Sequence, residues 1–243
     1  MRFVEVRLST ARDASVAARY LDTLGFRQID PAEEDVFACR IGETTLRFTE
    51  AAAGMEPFYH FALLVPGDRF DAAHDWLAER VQLLDDPETA SNVFSFDNWN
   101  ALACYFLDPA GNIVEFIAHQ GIAENGAKGH FGAEEVVGFS ELGLVTDDKM
   151  QSASALERQA GLTVFDGDVR APDRLAFVGE RARTLILSPI GRGWLPTGRP
   201  AELHPLEAVI AAHREAAVEL PGRQRIQTVV AKGEESSSRE ESL

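Results

Sequence analysis

Cysteine is scarce in this chain: among 243 residues only Cys39 and Cys104 occur, and they form no Cys-x-x-Cys pair. A disulfide framework and a cysteine-built metal cluster are therefore excluded, and both residues, on predicted strands, read as small buried hydrophobes. Long apolar runs are missing too. None approaches the ~18 residues that a membrane-spanning helix needs. Met1 to Leu8 lacks the apolar segment of a secretory signal, so a cytoplasmic protein is the expectation. Positive charge is sparse: 23 Lys and Arg stand against 39 Asp and Glu, a formal net charge of −16. Binding phosphate backbones or anionic lipid needs clustered basic side chains, so neither nucleic acid nor a membrane is an expected partner.

What is present is an ordinary globular composition, 45% hydrophobic and 26% charged, long enough for one large or two small domains. The most informative run extends from Ala103 to His119. Two apolar stretches there flank Asp108-Pro109-Ala110-Gly111-Asn112, a cluster with the turn chemistry that joins antiparallel strands. In the second strand the two-residue period puts Val114, Phe116 and Ala118 on one face, and Ile113, Glu115, Ile117 and His119 on the other. Glu115 thus carries a carboxylate from the middle of an apolar strand, where an unpaired charge costs several kcal/mol or takes up a proton. An imidazole in a similar setting lies upstream, at His60 in the apolar strand Tyr59–Pro66.

The order of elements repeats along the chain. A strand at Phe3–Leu8, a helix at Arg12–Leu24 and strands at Phe26–Ile29, Val36–Ile41 and Thr44–Thr49 form the first unit. The second has a strand at His60–Val65, a helix at Phe70–Val81, and strands ending in the Ala101–Leu107 and Ile113–His119 hairpin. A third begins at Phe139–Thr146, with a helix over Asp147–Ala160 and strands near Leu162–Phe165, Leu175–Val178 and Thr184–Ser188. Gly25 and Gly161, each a predicted helix stop, are separated by the same interval as Glu5 and Glu141, which supports a repeat. A fourth unit is truncated: strand Leu206–Ala211, a short helix over Arg214–Leu220, and strand Arg225–Val230.

The hairpin with the His60 strand resembles one βαβββ module of the vicinal oxygen chelate superfamily, which includes glyoxalase I, extradiol dioxygenases, and fosfomycin and bleomycin resistance proteins. The resemblance implies an α+β fold of tandem βαβββ modules in two domains, residues 1–120 and a degenerate 137–231. A linker at 121–136 joins them, and the polar stretch 232–243 is expected to be disordered. In that family a His on the first strand and a Glu on the last strand of a module bind a divalent metal, and His60 and Glu115 match those positions.

Aligning first strands by apolar pattern sets Glu5, His60, Glu141 and Glu207 at one register, while last strands place Arg47 and Ile186 where Glu115 stands. With the first two modules paired, Glu5, Arg47, His60 and Glu115 are expected to share one cup. The resemblance then implies a metal set of Glu5, His60 and Glu115 for Fe, Mn, Ni or Zn. It implies Glu5 or Glu115 as general base, and a small substrate that chelates the ion through two oxygens. Arg47, Trp99, Asn100 and Tyr105 are the expected substrate-binding residues, and a homodimer is open. Arg47 departs from the family pattern, and it could instead pair with Glu5 or Glu115 in a metal-free pocket of the bleomycin-resistance type. Glu141 and Glu207 lack a His or last-strand carboxylate beside them, so the second half reads as structural.

Overall fold

The computed structural model describes residues 1–32 and 35–230, with the side chains of 14–18 outside the description; the tail expected at 232–243 lies outside the described residues. The first unit comprises β1 (Arg2–Thr10), α1 (Ala14–Leu24), β2 (Arg27–Gln28), β3 (Asp35–Ile41) and β4 (Thr44–Glu50). The second comprises β5 (His60–Val65), α2 (Phe70–Ala78), β6 (Leu83–Leu84), β7 (Phe94–Phe96), β8 (Ala101–Leu107) and β9 (Ile113–His119). The third comprises β10 (Gly138–Thr146), α3 (Lys149–Ala155), β11 (Val164–Gly167), β12 (Ala176–Glu180) and β13 (Arg183–Pro189). A small hairpin, β14 (Gly193–Trp194) and β15 (Arg199–Pro200), precedes the last unit, β16 (Leu206–Ala212), β17 (Ala216–Leu220) and β18 (Gln224–Val230). Gly25 and Gly161 end their helices with positive φ, 64° and 71°, as predicted.

Two large mixed sheets result. One runs β17-β18-β16-β1-β4-β3-β2, and the other β11-β12-β13-β10-β5-β9-β8-β6 with β7 on β8. The sequence reading expected the first unit to pair with the second. Instead β1 pairs antiparallel with β16, and β5 with β10, so unit one joins unit four and unit two joins unit three. A physical reason lies in the strands themselves. Every residue of β5 and β10 is buried, whereas β1 and β16 each keep one partly exposed polar face. Strands buried on both faces pair centrally in the covered sheet, and strands with one part-exposed face pair in the open one.

Segment 214–220, read as a short helix, is strand over Ala216–Leu220. Its sequence is rich in helix formers, but it hydrogen-bonds along β18 and buries Val218 and Leu220 at period two, so pairing overrides local propensity.

The core between the sheets takes Phe61, Leu63, Val114 and Phe116 from one and Val6, Leu8, Leu46 and Ile210 from the other. Phe139 stacks on Phe61 at 4.9 Å and meets Phe3 at 6.1 Å across the sheets. The faces of β9 are those expected: Ile113 and Ile117 join Ala62, Ala103 and Tyr105 in a second cluster on the opposite side.

The Asp108–Asn112 turn ties this sheet together. Asp108 accepts the Asn112 backbone N–H at 2.8 Å and its amide at 2.7 Å, while Asn112 Oδ1 accepts the Tyr59 N–H at 2.9 Å. The turn thereby fixes the start of β5 beside β9. Replacing Asn112 with Ala strands a buried N–H and should lower stability in urea denaturation by about 1–3 kcal/mol; a change under about 0.5 kcal/mol would remove this role.

Candidate metal centre in the covered sheet

Ladder register decides which side chains meet. Along β5 and β9, Ala62 lies beside Glu115 and His60 beside Ile113. Across the β5–β10 pairing Ala62 lies opposite Glu141. The three polar residues therefore crowd one patch of the face opposite the core, with His60 6%, Glu115 2% and Glu141 3% exposed. One ligand atom from each lies within 4.8 Å of the others, close to the ~4 Å that separates opposite ligands of a small divalent ion. Among the described residues this is the one group of three or more His, Cys, Asp or Glu so placed.

The His60 ring is oriented by Nδ1, 3.2 Å from the Ile113 carbonyl, so that contact assigns the proton to Nδ1. Nε2 is left with a lone pair 3.6 Å from Glu115 Oε2. Burial pushes the imidazole down to about 4, so it is neutral at pH 7. Burial also drives Glu115 upward, with the Glu141 charge adding to it and the Tyr105 hydroxyl opposing it. Glu141 is raised by burial as well, and its Oε1 has no hydrogen-bond partner. Burial thus favours protons on the two acids beside a neutral imidazole, and loss of those protons leaves three acceptor groups facing each other. Such a set fits a divalent cation: two carboxylate oxygens and one nitrogen, in the manner of a facial triad.

A cavity of about 140 Å³ opens over this patch. Trp99, Phe177, Tyr105 and Trp194 form its walls, and Arg192 and Asp166 stand among its polar lining. Trp194 packs on His60 with ring centroids 4.8 Å apart. The approach requires glycine at 143, because a Cβ there would stand 3.0 Å from both the Trp194 indole and the His60 carbonyl oxygen.

The expected cup is not the observed one. Glu5 and Arg47 lie together in the open sheet, where Arg47 Nε donates to Glu5 at 2.8 Å and its Nη1 to Asp35 at 2.5 Å. That arginine satisfies the carboxylate and stands apart from Glu115, correcting both the Glu5 ligand assignment and the Arg47 placement. The single register across all four units holds, however. Glu141 occupies in β10 the place of His60 in β5, and Ile186 lies beside Gly143 as Glu115 lies beside Ala62. Glu141, read as structural, is the second acid and third residue of the site; its recurring register was the available signal, and the pairing of units was not. Trp99 and Tyr105, two of the expected substrate-binding residues, line the cavity. Asn100 does not: it is exposed, ends a short turn at φ 47°, and its carbonyl accepts the Gln120 N–H at 2.9 Å. Trp194, Phe177 and Arg192 lacked any spacing signal.

No protein-family model matches the chain, and no curated protein sequence matches it. Solved structures do. A candidate dioxygenase from Bacillus subtilis superposes with a TM-score of 0.58 over 94% of this chain and 85% of that one, at 15% identity. Glyoxalase I from Zea mays gives 0.55 over 94% and 92%, at 13% identity. The fold is that of the vicinal oxygen chelate superfamily. At these identities the likeness is one of architecture, and within that vicinal oxygen chelate fold the chemistry must be argued from His60, Glu115, Glu141 and the cavity above them.

The tight Gly143 contact is testable by fluorescence. Gly143→Val should displace the Trp194 indole from His60 and red-shift tryptophan emission; an unchanged spectrum would contradict the packing.

Proposed function

We propose that the protein is a divalent-metal-dependent enzyme of the glyoxalase and dioxygenase type, acting on a small substrate that presents two oxygens to the ion. The observation that carries this reading is the convergence of His60, Glu115 and Glu141, all buried, on the floor of one cavity. Three protein ligands leave open positions, as catalytic sites do. A bound Fe, Mn, Ni or Zn ion supplies Lewis acidity toward substrate oxygens there.

The chain's own residues supply the rest. The Ile113 carbonyl holds the His60 ring so that Nε2 faces the carboxylates. Glu115 or Glu141 accepts a proton from substrate, a role that Glu5, engaged with Arg47 in the other sheet, is not placed to fill. Trp99, Phe177 and Trp194 exclude water from the floor and favour a flat or apolar substrate body. A cavity near 140 Å³ suits a reacting part about the size of benzene.

The same aromatic walls favour a second reading, metal-free sequestration of a small ligand, in which the buried acids keep protons instead of an ion. Metal content separates the two. Untagged protein purified without chelator should carry close to one equivalent of a divalent metal, and chelation should lower its melting temperature, because an ion bound only by the native state stabilises it. Protein free of metal, with a melting temperature indifferent to added ions, would favour sequestration.

A further inference from the structure

Among the cavity's lining residues Arg192 carries the positive charge, in a chain whose formal net charge is −16. Its guanidinium is held by backbone alone: Nε donates to the Asp173 carbonyl at 3.2 Å, and Nη1 to that of Gly193 at 2.9 Å. Among the described residues it forms no ion pair to a carboxylate, and no hydrogen bond from Nη2 to a protein acceptor. Asp166, the acid on the same wall, is instead engaged by the Trp99 indole N–H and the Asn98 amide. Burial pulls the guanidinium down from its usual range, with the nearby Asp173 charge opposing it, so the group is partly stripped of water with no carboxylate in ion-pair contact among the described residues. An arginine fixed by two carbonyls and short of an anion is a preorganised receptor for a planar carboxylate, which a guanidinium edge meets through parallel N–H donors. It lies two residues from Trp194, in the segment that closes over His60.

We propose that Arg192 anchors a carboxylate on the ligand of this cavity, so that the protein takes small organic acids with a flat or apolar body. The inference rests on the cavity being the working site and deepens that reading, but it does not require the metal. The ligand's anionic end engages Arg192 while its remaining polar atoms reach the floor formed by His60, Glu115 and Glu141.

Benzoate and its neutral isostere benzamide test this, with binding followed by the emission of Trp99 and Trp194 in the full chain. Benzoate should bind about tenfold or more tightly than benzamide at pH 7, the gain expected of a charge-assisted hydrogen bond. Arg192→Gln should erase that preference while leaving benzamide affinity unchanged, and Arg192→Lys should keep part of it. The preference should survive chelator, which separates this claim from the metal reading: protein that is metal-free when purified without chelator and still selects benzoate through Arg192 sustains the one and sinks the other. Equal binding of both probes to the wild type would overturn the proposal. So would a benzoate preference that persists in Arg192→Gln, or one that chelator abolishes, since the ion would then hold the carboxylate. Should the Gln variant lose both probes, the Lys variant decides: retained benzoate preference supports the anchor, and its loss overturns it.

Discussion

The antiparallel pairing of β5 with β10 is the constraint from which the rest of the site follows. It sets Ala62 opposite Glu141, and because β9 runs beside β5 with Glu115 next to Ala62, two acids from distant parts of the chain flank one small residue. His60, two residues from Ala62, completes the group on the same face. A one-residue slip in that pairing would turn Glu141 toward the core and dissolve the set. The apolar face beneath, with Phe61, Phe116 and Phe139 fully buried, holds the register.

The two sheets use the same architecture under opposite electrostatics. In the open sheet the equivalent positions hold Glu5 and Arg47, and charge is neutralised within the protein by partly solvated ion pairs. Carboxylates satisfied by a guanidinium in this way need no ligand. In the covered sheet the equivalent positions hold His60 and Glu115, joined by Glu141, and among the described residues no Lys or Arg forms an ion pair with either acid. Burying two acids there is costly unless a proton or a metal ion compensates them. The same backbone therefore yields a self-neutralised surface in one half and a cation-seeking floor in the other, and the difference lies in what side chains the last strands carry: Arg47 against Glu115.

Much of this was legible in the residues. The 103–119 hairpin, the facing of Glu115, the helix-ending glycines and the common register of Glu5, His60, Glu141 and Glu207 all follow from period and turn chemistry, which are local. The partnership of the units is not local. Sequential neighbours were the natural expectation, and that choice alone sent Glu5 into the wrong cup and left Glu141 aside as structural. The two-sided burial of β5 held a clue, since His60–Val65 is a nearly continuous apolar run, whereas Ser140, Glu141 and Thr146 interrupt the matching run of β10. Cavity walls from loops, such as Trp194 and Arg192, follow no period and become visible only when the chain is folded. Residues 216–220 show the same limit in reverse, a helix-favouring segment made strand by its partner β18.

Cobalt(II) titration, followed by the visible absorption of the bound ion, tests the central claim most directly. Wild-type protein and Glu5→Gln should both bind close to one equivalent, while Glu141→Gln and His60→Ala should lose the signal or weaken it by an order of magnitude or more. Binding that survives loss of the residue 141 carboxylate, or that fails when the residue 5 carboxylate is removed, would contradict the account.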